Sequence, residues 1–236
     1  MQNYLVFQLY GVLASWGDQA VGGERPGSDH PSRSALLGLL AAGMGIARDQ
    51  EGKHAELTRQ CRFGIKLYSP GQVLRDFHTA QVPPTIKKIK HLYTRRDELC
   101  TNNLGTILSS REYRQDALAV IALWLEKEGE YSLDDLQSGL TQPHFHLYLG
   151  RKSCPLSIPL KPEKVSTETL KAALDEYMVD GNLKKLKKTV YYYWEKTDNM
   201  GCNADFHVSR YDQPISRKRW QFGSRDENVC LGNKEA

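Results

Sequence analysis

Cations are concentrated in a central segment of the chain that contains no carboxylate. Between Ala80 and Arg96 the sequence has five lysine and arginine residues and neither aspartate nor glutamate. These residues are Lys87, Lys88, Lys90, Arg95 and Arg96. Like charges at this density repel one another unless an anion lies against them, and a nucleic-acid backbone is such an anion. The segment is therefore predicted to bind nucleic acid, with a solvated surface loop as the alternative.

The same residue types allow one catalytic chemistry. In metal-independent RNA cleavage, a histidine or tyrosine takes the proton of a 2′-hydroxyl while a lysine stabilises the phosphorane transition state. Lys90 and His91 with Tyr93, or His78 beside Arg75, have the side chains for this reaction. A basic RNA-binding surface holds such residues without catalysing anything. We therefore expect no enzymatic activity and keep RNA cleavage as the alternative.

Two aromatic residues stand beside groups that commonly contact RNA. Tyr113 lies between Arg111 and Arg114, a composition that stacks on the bases of single-stranded RNA. Trp16 precedes Gly17 in a loop after the first strand. Its ring could stack on a base or cover the strand as part of the core, and the sequence leaves both open.

A glycine-led turn is predicted near residue 150. Gly150 is followed by Arg151, Lys152 and Ser153, which supply two cations and a hydroxyl. Such a turn can direct backbone N–H groups at a phosphate, although many turns of this composition bind nothing.

A buried helix is predicted where a polar loop ends. Ser32–Ser34 are good N-cap residues, and the run Ala35–Ala47 is apolar on nearly all faces but shorter than the roughly 20 residues of a membrane span. The start of a helix offers unpaired backbone N–H groups and partial positive charge, and Arg25 and Arg33 are close in sequence. This junction is predicted to bind phosphate, with an ordinary capped core helix as the alternative.

The order of elements predicts an α+β fold, with a ferredoxin-like (RRM-like) βαββαβ domain over residues 1–160. Alternating or continuous apolar patterns predict strands at Tyr4–Tyr10, Cys61–Tyr68, Val73–Ala80, Ala117–Leu125 and near His146–Leu149. The third strand is expected to form a hairpin with the second. Ser132 and Asp135 form a capping box before a short helix. Residues 80–116 are an insertion after the third strand, and long insertions of this kind are usually functional or disordered.

Beyond residue 160 the pattern changes, and residues 161–236 are predicted to be a C-terminal extension rich in β-structure. It should contain an amphipathic helix over Thr167–Met178 and strands near Thr189–Trp194 and Phe206–Tyr211. Arg217–Arg225 is a further basic stretch. Convergence of the basic segments in space is plausible but does not follow from the sequence.

Composition excludes several classes of protein. The five cysteines of the 236 residues include no Cys-x-x-Cys pair and no zinc-like spacing to histidine, so neither a disulfide framework nor a metal site is expected. There is no signal-like or membrane-spanning run, which favours a cytoplasmic protein. No Walker, Rossmann, serine-elbow or His-Glu-x-x-His motif is present, and no cofactor is expected.

Several segments, in order along the first 160 residues, resemble the RAMP superfamily and within it the CasD family of type I-E CRISPR surveillance complexes (Cascade). The matching segments are Ala14–Gly17, Arg25–Gly27, Pro31–Leu40, Gly45-Ile46, Arg48-Asp49, Leu74–Thr79, Arg111–Tyr113, Val120–Leu125 and Tyr148–Leu156. The match thins after residue 160, where Arg217–Arg225 is the best remaining similarity.

This resemblance implies a non-catalytic subunit for antiviral defence that holds the 5′ handle of the crRNA in a ribonucleoprotein complex. The insertion would be a thumb that meets the backbone subunit, whose filament the chain caps. The large subunit, and target DNA through the complex, would be further partners. RNA contacts are implied at Trp16, Arg25, Arg33, Ser34, Arg75, His78, Arg111, Gly150, Arg151, Lys152 and Ser153. A related family cleaves precursor RNA with an adjacent Lys-His and a Tyr, which keeps the nuclease alternative open.

Overall fold

The computed structural model describes residues 1–17, 20, 22–84, 93–100, 103–126, 128–186, 191–195, 197 and 199–232. Its strands are β1 (Gln2–Ala14), β2 (Glu24–Arg25), β3 (Cys61–Ser69), β4 (Gln72–Val82), β5 (Gly105–Leu125), β6 (Glu163–Thr167), β7 (Tyr191–Trp194), β8 (Phe206–Ser216) and β9 (Gln221–Leu231). Its helices are α1 (Arg33–Gly43), α2 (Glu51–Gln60), α3 (Arg95–Leu99), α4 (Leu133–Thr141) and α5 (Leu170–Glu176), with a 3-10 turn at Gly181–Leu186.

These strands form one sheet in the order β6-β1-β5-β3-β7-β9-β8, with β2 and β4 added along β5. Every pair is antiparallel except the short β2–β5 pair. The prediction of mixed helix and strand structure around a large sheet is confirmed. No helix within the described ranges is long and apolar enough to cross a bilayer.

Side chains alternate between two hydrophobic cores, one on each face of the sheet. Phe7 and Ile121 point into the core that α1 and α4 cover. Their neighbours Val6 and Val120 point into the core that α5 covers. This period of two explains why the central part of β5 has no polar position, since both of its faces are buried.

Helix α1 begins where the sequence predicts and ends earlier. The Oγ of Ser32 accepts a hydrogen bond from the backbone N–H of Ala35, 3.2 Å away, which caps the helix. The helix ends at Gly43, where an added Cβ would lie 2.6 Å from the backbone oxygen of Gly139 in α4. Gly45 follows with φ +70°, a conformation that stops a helix and favours glycine.

The predicted hairpin between the second and third strands is wrong. Strand β4 pairs with β5, as β3 does. Ser69 lies opposite Leu118 of β5, and Gln72 lies opposite Gln115. Strands β3 and β4 therefore pair with successive parts of one strand, β5. The intervening turn bends the chain without reversing it. Gly71 makes this possible, since an added Cβ there would lie 2.4 Å from the backbone oxygen of Gln115.

The predicted closing strand is also misplaced. Tyr148 makes only an isolated bridge with Pro155, because the chain turns back at Gly150. The outer strand beside β1 is instead β6, with Gln2 opposite Thr167. Strand β6 lies beyond the predicted domain boundary at residue 160, and β7 to β9 extend the same sheet from β3.

The first half of β5 and the whole of β4 form a two-stranded ribbon. Its pairs run from Gln72 and Gln115 to Val82 and Gly105. Most side chains of β4 are exposed. The ribbon covers most of the described part of the predicted insertion at 80–116, and the capped helix α3 lies near its far end.

Candidate nucleic-acid interface

Glu112 joins several segments where the ribbon leaves the sheet. One carboxylate oxygen accepts a hydrogen bond from the backbone N–H of Gly27 at 3.0 Å, and the other accepts one from Arg75 at 2.9 Å. Its backbone oxygen accepts a hydrogen bond from the Oγ of Ser15 at 3.3 Å. The bond from Gly27 and the Arg75 guanidinium hold the pKa of Glu112 below its ordinary value. We call this region the junction, defined by residues 15–16, 25–27, 75, 111–114 and 150–153.

The junction brings together several of the cations that the sequence singled out. Arg25 lies opposite Arg111 in the β2–β5 pair. The Nε of Arg111 is buried and makes no hydrogen bond within the described residues. Arg75 lies opposite Glu112, on the adjacent strand. These arginines therefore come from three separate parts of the chain.

The Gly150 turn completes the junction. Gly150 has φ +87°, and an added Cβ would lie 1.9 Å from the backbone oxygen of Ser15, so only glycine fits. The guanidinium carbon of Arg151 lies 4.9 Å from the centre of the Tyr113 ring. Its Nη1 is buried without a hydrogen-bond partner in the part of the chain that the structure describes. Lys152 and Ser153 are exposed beside it.

The two aromatic residues of the junction are packed rather than open. Tyr113 is 9% exposed and lies under Arg151, so it positions that arginine and has little free ring surface for a base. Trp16 is 5% exposed and belongs to the core beneath α1. For Trp16, the structure favours the packing alternative.

At the start of α1, where the sequence predicts a phosphate site, a carboxylate of the chain itself lies against the helix. The backbone N–H of Arg33 donates to the carboxylate of Asp212 at 2.7 Å, so an anion of the protein itself occupies this end of the helix. The guanidinium of Arg33 is buried, forms an ion pair with Glu195, and donates to the backbone oxygens of Thr58 and Cys61. The Arg33 side chain is therefore enclosed by the chain's own groups, and it lines a different pocket together with Thr58 and Glu195. The reason is that β8 returns across the helix start, which the local sequence does not reveal.

A buried charge network joins strands β8 and β9 to the loop that precedes α1. Arg225 binds Asp212 at 2.6 Å and Glu227 at 2.7 Å, and Glu227 lies 2.9 Å from His30. Burial would raise the pKa of Glu227, but the hydrogen bond with His30 and the charge of Arg225 outweigh it and lower that pKa to about 2. Asp29, on the other side of His30, completes the network at 2.6 Å.

A second feature is a groove of about 970 Å³ beside the junction, bounded by α1, residues 145–155 and the β8–β9 hairpin. Ser34 is half-buried at its edge. Arg48 and Arg217 line it together with Trp220 and Phe222. The basic stretch Arg217–Arg225 gave a sequence signal for this wall, whereas nothing in the local sequence placed Arg48 beside it.

The catalytic alternative gains no support from the placement of His78. The side chain of His78 lies 2.5 Å from Asp76, two residues away, and Arg75 binds Glu112. In a strand, residues three apart point to opposite faces, so Arg75 and His78 do not form a catalytic pair. Lys87, Lys88, Lys90 and His91 lie outside the described residues. Tyr93 is 92% exposed.

Comparison with known proteins gives consistent results over the whole chain. Residues 4–227 match the family described as CRISPR-associated protein (Cas_Cas5). The CRISPR system Cascade subunit CasD of Escherichia coli (strain K12) is 30% identical over 244 residues, covering 100% of this chain and 99% of that protein.

Two solved structures share the fold. A chain of a CRISPR RNA-guided surveillance complex superposes with a TM-score of 0.65 at 22% identity, over 97% of this chain and 89% of that one. The crystal structure of a Cas protein superposes with a TM-score of 0.65 at 25% identity, over 98% of this chain and 96% of that one.

Proposed function

The chain belongs to the CRISPR-associated Cas5 family, and we propose that it is the RNA-binding subunit of a Cascade complex that holds the 5′ handle of the crRNA. The observation that carries this proposal is the end-to-end match to a Cascade subunit, CasD, at 30% identity. The geometry of the junction supports it. Arg25 and Arg111, which pair across β2 and β5, lie there with the Gly150 turn, although they are far apart in sequence.

Two arginines of the junction have donors that a ligand could satisfy. The Nε of Arg111 and the Nη1 of Arg151 are buried and make no hydrogen bond within the described residues. An unsatisfied buried donor costs about 1–3 kcal/mol, and phosphate oxygens are strong acceptors for guanidinium groups. We assign the phosphate contacts to these two residues first, with Arg25, Lys152 and Ser153 around them. Arg75, which Glu112 holds on the other face of β5, lies at the border of this site. Because Arg33 is enclosed, it has no RNA contact in this proposal.

The core of the sheet supports a ferredoxin-like assignment. Strands β1, β3, β5 and β6, with α1 and α4 between them in sequence, lie in the spatial order β6-β1-β5-β3. This is the order that a βαββαβ unit gives when β3 is its second strand and β6 its fourth. The core would then end at Thr167, seven residues beyond the predicted boundary, and residues 168–232 would be the extension.

The β4–β5 ribbon is suited to the role of the thumb. Phe77 is 63% exposed and Ile107 is 54% exposed on it, and exposed apolar groups on a projecting arm are typical of protein contacts. In the proposal this ribbon meets the backbone subunit. The large subunit and, through the complex, target DNA are the further partners, and the chain itself has no enzymatic activity.

Binding of labelled 5′-handle RNA by the purified chain tests this function. Arg111→Gln and Arg151→Gln should each weaken binding roughly tenfold, the value of one charge-assisted hydrogen bond, and reduce the salt slope by about 0.7. Arg59→Gln is the matched control, because Arg59 forms an exposed ion pair with Glu56 on α2, away from the junction. Equal affinities for all three variants and the wild type would contradict the assignment.

Incubation of the chain with precursor RNA and a chelator separates the binding role from the nuclease alternative. We expect the RNA to remain intact. Site-specific cleavage that disappears in His91→Ala would show an enzyme instead.

A further inference from the structure

We infer that the groove between α1 and the β8–β9 hairpin is a nucleotide site, in which the Trp220 ring stacks on one RNA base while Arg48 and Arg217 bind an adjacent phosphate. The inference rests on the proposed RNA-binding function, because it assigns a second place where the same RNA is held. It adds residues that the sequence motifs did not indicate as RNA contacts.

Charge is the first argument for this site. Arg217 is largely buried and donates to the backbone oxygen of Ser34 at 2.5 Å. Burial, and then the charge of Arg48, lower the pKa of Arg217 to about 10. Neither arginine forms an ion pair within the described residues. The carboxylates beside the groove are engaged elsewhere: Asp212, which lines it, binds Arg225 and the backbone N–H of Arg33. Glu51 is bound to the Ser216 hydroxyl and the Lys218 backbone N–H. Because neither guanidinium group is ion-paired to these carboxylates, a phosphate oxygen bound between Arg48 and Arg217 would be stabilised by both.

The aromatic wall is the second argument. Trp220 is 50% exposed, and the guanidinium carbon of Arg48 lies 5.1 Å from its ring centre. Phe222 meets the Trp220 ring edge-on, with ring centres 5.3 Å apart, which fixes the orientation of the indole. A base stacked on a tryptophan beside an arginine is a common mode of single-strand recognition.

The backbone of Trp220 is the third argument. Its φ is +56°, in the left-handed region that a bulky residue rarely adopts. Strained residues of this kind persist where the surrounding structure holds them, and they are concentrated at functional sites. Here the strained turn between β8 and β9 directs a large aromatic ring to the groove wall.

The groove is continuous with the junction. Tyr148, Gly150 and Lys152 line the groove, and Gly150 and Lys152 belong to the turn that carries Arg151. RNA bound by Arg111 and Arg151 therefore has a direct path across Lys152 into the groove. The volume of about 970 Å³ lies at the upper end of the range for small-molecule sites, which is enough for a nucleotide.

Tryptophan fluorescence of the full chain tests the site. The other tryptophans, Trp16, Trp124 and Trp194, are 5%, 4% and 4% exposed, so Trp220 is the main target for contact quenching by RNA. Trp16 also lines the groove, and loss of the quench in Trp220→Leu assigns the signal to Trp220. We expect 5′-handle RNA to quench the fluorescence of the wild type, and one abasic substitution in the RNA to abolish the quench. Trp220→Leu should weaken binding about fivefold or more, whereas Trp220→Phe should retain most of the affinity.

Arg48→Gln and Arg219→Gln form a matched pair. Both variants remove one positive charge. Arg219 is exposed on the β8–β9 hairpin, next to Trp220, but it does not line the groove. Only Arg48→Gln should weaken binding and reduce the salt slope, by about 0.7. Normal RNA binding by fluorescence anisotropy, with no quench and no effect of Trp220→Leu or Arg48→Gln, would overturn the groove site and leave the proposed function standing. If the wild-type chain bound no handle RNA, both would fail.

Discussion

His30 and Glu227 are 197 residues apart in sequence, and their side chains lie 2.9 Å apart in the interior. The pair joins the loop before α1 to the last strand of the sheet. The His30 ring also stacks on Tyr193 of β7, with ring centres 3.8 Å apart. Because β8 and β9 form one wall of the groove, the position of that wall depends on this buried contact.

The His30 contact should make stability depend on pH. Burial alone would lower the pKa of His30, but hydrogen bonds with Asp29 and Glu227 outweigh it and raise that pKa above the ordinary 6.5. A raised pKa in the folded state stabilises the protein fully below pH 6.5, and the stabilisation is lost as the pH rises through the folded value. The melting temperature of the wild type should therefore exceed that of His30→Gln most at pH 6 and less at pH 9.

The exposed His207 supplies the control for this series. It lies on β8 and pairs with Asn228. His207→Gln should lower the melting temperature at pH 6 by less than His30→Gln does, because the His207 side chain is exposed. A constant difference between wild type and His30→Gln from pH 6 to pH 9 would show that His30 does not change its charge on unfolding.

Arg33 should contribute to stability and not to RNA affinity. Its guanidinium pairs with Glu195, whose side chain is 12% exposed. Removing one partner of a buried ion pair leaves an uncompensated charge and costs about 3–5 kcal/mol. Arg33→Gln should therefore lower the midpoint of urea unfolding strongly. At a temperature where the variant is folded, its affinity for handle RNA should stay within about twofold of the wild type, and a loss as large as that of Arg151→Gln would restore Arg33 to the RNA site.

The shape of the Gly150 turn should be needed for both folding and binding. Gly150→Ala places a Cβ 1.9 Å from the backbone oxygen of Ser15 and requires a left-handed alanine, so the turn must move. Gly22→Ala is the control, because Gly22 has φ +93° but no atom of the described residues within 4 Å of the added Cβ. Gly22→Ala should lower the free energy of unfolding by only about 1 kcal/mol, the cost of placing alanine in a left-handed backbone conformation. Gly150→Ala should be clearly less stable and bind handle RNA more weakly; equal effects of the two variants would show that the close approach to Ser15 is unimportant.

The sequence predicted those parts of the fold that local patterns determine. The strands β1 and β3, the N-cap Ser32 and the capping box of Ser132 and Asp135 are all present, although both faces of β1 and β3 are buried where the sequence predicts one. Each depends on residues within a few positions of one another. The pairing of β4 with β5 depends on a choice between the adjacent strand β3 and a distant one, and the turn at Gly71 is compatible with both a reversal and a bend.

In the candidate site, too, the residues that local composition indicated can be separated from those whose environment depends on distant parts of the chain. The composition around Arg151 and Arg111 indicated anion binding, and both residues lie at the junction. The enclosure of Arg33 depends on Glu195 and Asp212, which lie more than a hundred residues away in sequence. An arginine at a helix start looks the same in sequence whether its partner is a phosphate or a carboxylate of the same chain.

Apolar residues of the ribbon should be needed for assembly and not for folding. Phe77 and Ile107 are 63% and 54% exposed, so Phe77→Ser combined with Ile107→Ser removes apolar surface that the isolated chain does not bury. Surface changes of this kind usually alter stability by less than about 0.5 kcal/mol. The double variant should therefore have the melting temperature and the handle-RNA affinity of the wild type. When the tagged chain is purified from cells that also express the backbone subunit, less of that subunit should be recovered with the double variant.

Met178→Ser is the control, since Met178 is 71% exposed and lies after α5, outside the ribbon. Normal recovery of the backbone subunit with the double variant would remove these residues from the thumb contact, whereas equal losses in both variants would mean that exposed apolar area in general promotes assembly.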